Sequence, residues 1–168
     1  MNPSKILLVD DKRENLLAME ALLRAPDVEF FRAASGVDAL ELLLQHDFAL
    51  ALIDVQMPEM DGFEATTQIR RWEMANGQPR LPIVALTAGA FEEDRQNCLA
   101  AGMDDFVAKP VRAEDLKRII SRASALARLR EKMTASSSKE LPNPSATPRG
   151  RLDAMSLAGV MLLGHVVG

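Results

Sequence analysis

Ile6-Leu7-Leu8-Val9-Asp10-Asp11 is a short apolar run that ends in two adjacent acids. Three more runs finish in the same manner. Leu50-Ala51-Leu52-Ile53 ends in Asp54, Ile83-Val84-Ala85-Leu86 in Thr87, and Phe106-Val107-Ala108 in Lys109, with Pro110 next. Continuous apolar runs of this length read as strands covered on both faces. In an open parallel sheet, the C-terminal ends of the strands line one crevice, where ligands bind. Three carboxylates, a hydroxyl and an ammonium are therefore expected to meet there. That set suits a divalent cation and a phosphoryl group.

Outward from these runs, residues 1–112 read as five strand–helix repeats, with strands near 5–9, 28–33, 49–53, 82–87 and 105–108. Glu29 and Arg32 interrupt the second run, which places it nearer the sheet edge. Between the strands lie helical patterns. Leu16, Leu17, Met19, Ala21, Leu22 and Leu23 form one apolar face, and Ala39, Leu40, Leu42, Leu43 and Leu44 another. Phe63, Ala65, Ile69 and Trp72 mark the third helix. The fourth, Phe91 to Ala101, opens on Glu92, Glu93 and Asp94, as suits a helix N-terminus, and Gly102 stops it. Strands alternating with helices imply a parallel α/β sheet with right-handed crossovers. The fifth helix is expected from Glu114 to Met133, with Leu116, Ile119, Ile120, Ala123, Leu126 and Ala127 as its stripe. About 20 residues at 1.5 Å rise is roughly 30 Å, longer than a small domain needs.

The chain thus divides into a globular part over 1–134, a linker over 135–150 and a short apolar tail over 151–168. The linker carries Ser136-Ser137-Ser138 and prolines at 142, 144 and 148, a composition that cannot bury a core. The tail has no assigned role. Its apolar run, Leu157 to Val167, is too short to span a bilayer. His165 lacks the surroundings of a phosphotransfer histidine.

The 168 residues are 48% hydrophobic and 26% charged, ordinary for a soluble globular protein. A net charge of -4 gives no general attraction to nucleic acid or anionic membrane. The one cysteine, Cys98, rules out an internal disulfide and fits a reducing cytosol. The N-terminus resembles neither a signal peptide nor a membrane span. A cytoplasmic protein, monomeric or weakly dimeric, is expected.

Asp10-Asp11, Asp54, Met57-Pro58 with Asp61-Gly62, Thr87-Ala88 and Lys109-Pro110 together resemble the response-regulator receiver family, the CheY-like phosphoacceptor domain. Asp11 to Asp54, Asp54 to Thr87 and Thr87 to Lys109 are 43, 33 and 22 residues apart, as in that family. The resemblance covers about residues 4–126. Asn15 and the long Asn76–Pro82 loop are closest to receivers of hybrid sensor histidine kinases. The resemblance implies a flavodoxin-like (βα)5 doubly wound sandwich with a five-stranded parallel sheet in order 2-1-3-4-5. It implies Mg²⁺ bound by Asp11 and Asp54 directly, by Asp10 through water, and by the Gln56 backbone carbonyl. Asp54 is then the phosphoacceptor. Thr87, the Ala88 N–H and Lys109 hold the phosphoryl oxygens, and Thr87 and Phe106 form the switch toward an α4-β5-α5 surface. The implied donor is a histidine kinase or histidine phosphotransfer protein, with no direct contact to nucleic acid.

The physical logic stands beside the resemblance. Two unit charges 4 Å apart repel by on the order of 4 kcal/mol at an effective dielectric near about 20. A hard cation with oxygen ligands relieves that repulsion. Phosphoryl transfer asks little of a protein beyond positioning and charge neutralisation. Plainer roles exist for each residue: Asp10-Asp11 as a helix cap, Asp54 as a loop acid, Thr87 as a turn residue, Lys109 as a solvated lysine. Met57-Pro58 and Asp61-Gly62 read as a turn, and Lys109-Pro110 as a candidate cis bond. Phe106 reads as a core aromatic that can signal only by packing. The nine methionines read as core, His46 as a surface residue ending the second helix, and Cys98 as a buried small hydrophobe.

Two other functions compete. A haloacid-dehalogenase-type phosphatase also uses a strand-end Asp with Mg²⁺, but needs a second acid two residues later, where this chain has Gln56. A scaffold that takes no phosphate would have no use for the full acid, hydroxyl and lysine set. The expectation is a phosphoacceptor module, not a turnover enzyme.

Overall fold

The apolar runs become five parallel strands: β1 (Ser4–Val9), β2 (Val28–Ala33), β3 (Leu50–Asp54), β4 (Ile83–Thr87) and β5 (Asp105–Ala108). They lie in the order β2-β1-β3-β4-β5, as expected. Between them run α1 (Arg13–Leu23), α2 (Gly36–Gln45), α3 (Gly62–Ala75) and α4 (Glu92–Ala101), and α5 is helical over 113–123. This computed structural model describes residues 2–89, 91–123 and 125. The expected run of α5 to Met133, the linker and the tail lie outside them.

Alternation along each strand sorts the core into two layers. Leu7, Val9, Ala51, Ile53, Ile83 and Ala85 face Ala39, Leu40, Leu43, Ile69 and Cys98 of α2, α3 and α4. Ile6, Leu8, Leu50, Leu52, Val84, Leu86 and Val107 face Leu16, Met19, Leu23, Leu116, Ile119 and Ala123 of α1 and α5. Full burial of each large aliphatic side chain contributes about 1.5–3 kcal/mol. Every residue of β3 and β4 is buried, as interior strands require. β2 and β5 are the two edges. In β2 the residues that weakened its pattern, Glu29 and Arg32, are exposed, with Arg32 paired to Glu20 at 2.8 Å. The run of β5, expected to be covered on both faces, buries only Val107 because an edge strand is half-covered.

Strand register decides where the chemistry goes. Val9 pairs with Ile53, so Asp10 lies level with Asp54. Asp54 pairs with Leu86, so Thr87 lies one residue further along. Thr87 pairs with Ala108, so Lys109 lies one further still. One residue is about 3.3 Å of strand. The four side chains are therefore brought to neighbouring levels at the C-terminal end of the sheet by backbone pairing alone.

Several sequence expectations need correction. In α1 the buried stripe is Leu16, Met19 and Leu23, while Leu17 and Leu22 are 44% and 40% exposed. A helix lying on one sheet face buries only one stripe, and those two leucines fall off it. Leu42, Leu44, Phe63 and Trp72 are half-buried. Met19, Met57 and Met103 are core, but Met74 is exposed. His46 does end α2 but is half-buried, its ring 4.4 Å from Phe31 and its Nδ1 3.4 Å from Lys5 Nζ.

The stop at Gly102 and the turn leading into α3 are as expected. Gly102 ends α4 in the left-handed region at φ 97°, where glycine is favoured. The loop after α3 is pinned: Glu73 accepts the Leu81 N–H at 2.7 Å, and Arg70 donates to Glu73, to the Leu81 carbonyl and to the Gly102 carbonyl. The Met57–Gly62 turn contains Glu59 at φ 66° and ends with Asp61 capping α3 through the Glu64 N–H at 2.8 Å.

Gly62 of that turn presses on the end of β3. A Cβ there would run into the Asp54 carbonyl oxygen and lie 2.8 Å from Val55 Cα. Both are backbone, which yields less than a side chain. Gly62→Ala should therefore destabilise the fold by about 1–3 kcal/mol in urea unfolding. A variant as stable as the parent would show that the turn can move away from β3.

Candidate functional site

The site is built at the C-terminal ends of β1, β3, β4 and β5. Asp10, directly after β1, is fully buried. Its Oδ1 accepts the Lys12 N–H at 2.8 Å and its Oδ2 accepts from Asn15 Nδ2 at 3.0 Å. The plain role of helix cap does not describe it. The N-cap position of α1 is Lys12, which makes no side-chain cap bond. Asp11, the next residue, is exposed.

Asp54 ends β3 and is 3% exposed. Its Oδ1 accepts the Gln56 N–H at 3.1 Å, which fixes the carboxylate against its own loop. Its Oδ2 lies 3.0 Å from the Lys109 ammonium, which also reaches Asp10 Oδ2 at 3.6 Å. One carboxylate oxygen from each of Asp10, Asp11 and Asp54 lies within 4.8 Å of the others. Lys109 is the cation that this acidic group holds among the described residues. Its N–H donates to the Thr87 carbonyl at 2.7 Å, and the Lys109-Pro110 bond is cis.

Thr87 is buried at the end of β4, where its Oγ1 accepts the Gly89 N–H at 3.2 Å. The hydroxyl proton is left to turn elsewhere. Ala88 follows on the loop and is exposed. Gln56 is exposed on the loop after β3. Phe106 is half-buried and packs on the α2–α3–α4 side of the sheet. Ala85 pairs with Phe106 and Thr87 with Ala108, so Phe106 and Thr87 share that face. α4 covers it lightly: of its ten residues only Cys98 is buried. That burial, with the nearby Asp94 carboxylate, pushes the Cys98 thiol up from its ordinary 9.0.

The donor set fits Mg²⁺. It consists of hard carboxylate oxygens, two from buried acids and one from an exposed acid that leaves the site open to water. Mg²⁺ keeps several waters and needs few protein ligands. The structure thus brings together Asp10, Asp11, Asp54, Thr87 and Lys109. Two contributors were not legible as such in the sequence. Asn15 lies five residues after Asp10 in the first turn of α1, a place from which a side chain can reach back to the strand end. Gly62 read as a turn residue, whereas its bare Cα admits the β3 terminus.

The response regulator receiver domain family matches residues 6–121. The sensor protein GacS of Pseudomonas syringae pv. syringae is 41% identical over 123 residues, 73% of this chain and 14% of that protein. Hybrid signal transduction histidine kinase L of Dictyostelium discoideum is 38% identical over 121 residues, 70% of this chain and 7% of that protein. The chain therefore spans a small part of these relatives. Among solved structures, the receiver domain of sensor histidine kinase PA1611 from Pseudomonas aeruginosa, with magnesium coordinated in its active-site cleft, is 38% identical with a TM-score of 0.61. It covers 71% of this chain and 96% of that one. The receiver domain of Saccharomyces cerevisiae Ssk1, solved with the histidine phosphotransfer protein Ypd1, is 28% identical with a TM-score of 0.71, covering 75% and 92%.

Cation binding should depend on Asp11, the exposed acid of the three. Titration of Mg²⁺ followed by backbone NMR shifts should show saturable changes around residues 10, 11 and 54. Asp11→Ala should lose about 10-fold or more in affinity. Equal affinity in both proteins would remove Asp11 from the site.

Proposed function

The chain belongs to the response-regulator receiver family, and on that premise we propose that it is a phosphoacceptor with Asp54 as its nucleophile. The observation that carries the reading is the Asp54 carboxylate, buried, 3.0 Å from the Lys109 ammonium and beside the Asp10 and Asp11 oxygens. An Asp54 oxygen attacks phosphorus, the new P–O bond forms, and the P–N bond to the donor imidazole breaks with its electron pair leaving on nitrogen. The product is an acyl phosphate. Asp54 and Asp11 would hold Mg²⁺ directly, with Asp10 through water and the Gln56 carbonyl as a further ligand. When bound, the ion neutralises charge on the transferring group. The Lys109 ammonium adds to that neutralisation, and the Thr87 hydroxyl and Ala88 N–H donate to phosphoryl oxygens. Catalysis is confined to the protein's own modification and its slow hydrolysis. Gln56, two residues after Asp54, supplies no general acid for phosphatase turnover.

The donor is a histidine kinase or a histidine phosphotransfer protein. Support comes from the hybrid signal transduction histidine kinases among the relatives and from the Ssk1 receiver's complex with Ypd1. A receiver over 1–134, a linker over 135–150 and a tail over 151–168 complete the reading. Among the described residues no helix is long and apolar enough to cross a membrane, and we place the module in the cytoplasm.

The output surface is α4-β5-α5. α4 is anchored by one buried side chain; Phe91 at its N-cap and Leu99 on it are 77% and 54% exposed. A segment with so little buried area is the kind that shifts at small cost. Drawing the Thr87 hydroxyl toward phosphoryl oxygens vacates space on the face that Phe106 shares. One modification moves the balance only if the two states differ by a few kcal/mol.

Treatment with acetyl phosphate and Mg²⁺ should add one phosphoryl group by intact mass, and Asp54→Asn should abolish the adduct. An undiminished adduct in that variant would sink the assignment. With beryllofluoride as an acyl-phosphate mimic, NMR shifts should extend from Asp54 through Thr87 to residues 91–118. Shifts confined to the pocket loops, and unaltered in Thr87→Ala, would mark a phosphate sink and not a switch.

A further inference from the structure

Asp10 is the most enclosed acid of the site, and three protein donors converge on it. Its Oδ1 takes the Lys12 N–H at 2.8 Å. Its Oδ2 takes the Asn15 amide at 3.0 Å and faces the Lys109 ammonium at 3.6 Å. A carboxylate offers about four lone-pair directions. Two are taken by hydrogen bonds, and the Lys109 ammonium stands at ion-pair distance from Oδ2, which leaves about one or two for the cleft. Such a carboxylate lends charge to a cation and can accept from a water on it, but has little left for direct ligation. Asn15 is the one of the three donors whose side chain acts on Asp10 alone among its described hydrogen bonds. The Lys12 donor is backbone, and Lys109 is shared with Asp54.

We infer that Asn15 is a specificity-determining residue that sets the Mg²⁺-over-Ca²⁺ preference of the pocket by holding Asp10 back from direct coordination. The inference rests on the reading above that the pocket takes a divalent cation. Mg²⁺ demands octahedral geometry and keeps several waters, whereas Ca²⁺ takes about 6–8 oxygens in flexible arrangements and loses water readily. A pocket with two direct carboxylates and one restrained carboxylate therefore suits the smaller ion. Without the Asn15 amide, Oδ2 is free on one side and the carboxylate can pivot about its Oδ1 bond to Lys12. Lys109 does not replace the lost donor, because its ammonium is engaged closer to Asp54, at 3.0 Å. A third direct carboxylate then becomes available, and that favours Ca²⁺.

The test is a pair of NMR titrations, one with Mg²⁺ and one with Ca²⁺, on the full chain. The proteins are the parent, Asn15→Leu, Asp10→Asn and the double variant. Leucine keeps the volume and removes the donor. The Mg²⁺-to-Ca²⁺ affinity ratio should fall about 10-fold in Asn15→Leu, the scale of losing a partner that orients a ligand. The same substitution made in Asp10→Asn should leave the ratio unmoved, because Asn15 acts through Asp10. Thermal melts of each variant separate folding from selectivity: a merely structural role lowers both affinities together and spares the ratio. A ratio in Asn15→Leu equal to the parent's, with Mg²⁺ still binding the parent, would overturn this inference and leave the phosphoacceptor reading standing. A parent that binds neither ion would overturn both.

Discussion

Three carboxylates whose oxygens lie within 4.8 Å of one another form a concentration of negative charge that the fold has to hold. Two of them, Asp10 and Asp54, are buried, so water screens them little. The protein answers with donors. Backbone N–H groups of Lys12 and Gln56, the Asn15 amide and the Lys109 ammonium all point at these oxygens. Lys109 answers two acids at once, and its backbone is tied to Thr87. The carboxylates still outnumber the one ammonium, and that ammonium lies beside Asp54.

The sheet exists to make that concentration repeatable. β3 is buried over its whole length, so Asp54 cannot slide without moving an interior strand. Its pairing with β1 and β4 sets Asp10 and Thr87 at neighbouring levels. Gly62 lets the following turn close against the strand end where a side chain would collide with backbone. By contrast α4, on the side that Thr87 and Phe106 share, is held by a single buried residue. Rigid strands thus present the reactive groups, and a lightly held helix lies beside them.

Much of this was legible in the chain. Each interior strand is an apolar run that ends on a reactive residue, and parallel pairing of such runs leaves few places for those residues to go. The edge position of β2 followed from Glu29 and Arg32, because polar residues on both faces suit only a half-covered strand. The remainder depended on contacts between distant parts of the sequence. Leu17 and Leu22 look as apolar as Leu16 and Leu23, and only the direction in which α1 lies on the sheet separates them. His46 is polar in isolation but has Phe31 and Lys5 as neighbours. Asn15 could not be read as a partner of Asp10 until the first turn of α1 was placed against the end of β1.

The most direct test of the central claim is chemical trapping of the acyl phosphate. The full chain is incubated with a phosphorylated histidine phosphotransfer protein and Mg²⁺, then reduced with borohydride, which converts an aspartyl phosphate to homoserine. Peptide mass spectrometry then locates the converted residue. The account predicts homoserine at position 54 and at no other aspartate. Conversion at Asp10 or Asp11, or loss of phosphate from the donor with no converted aspartate, would contradict it.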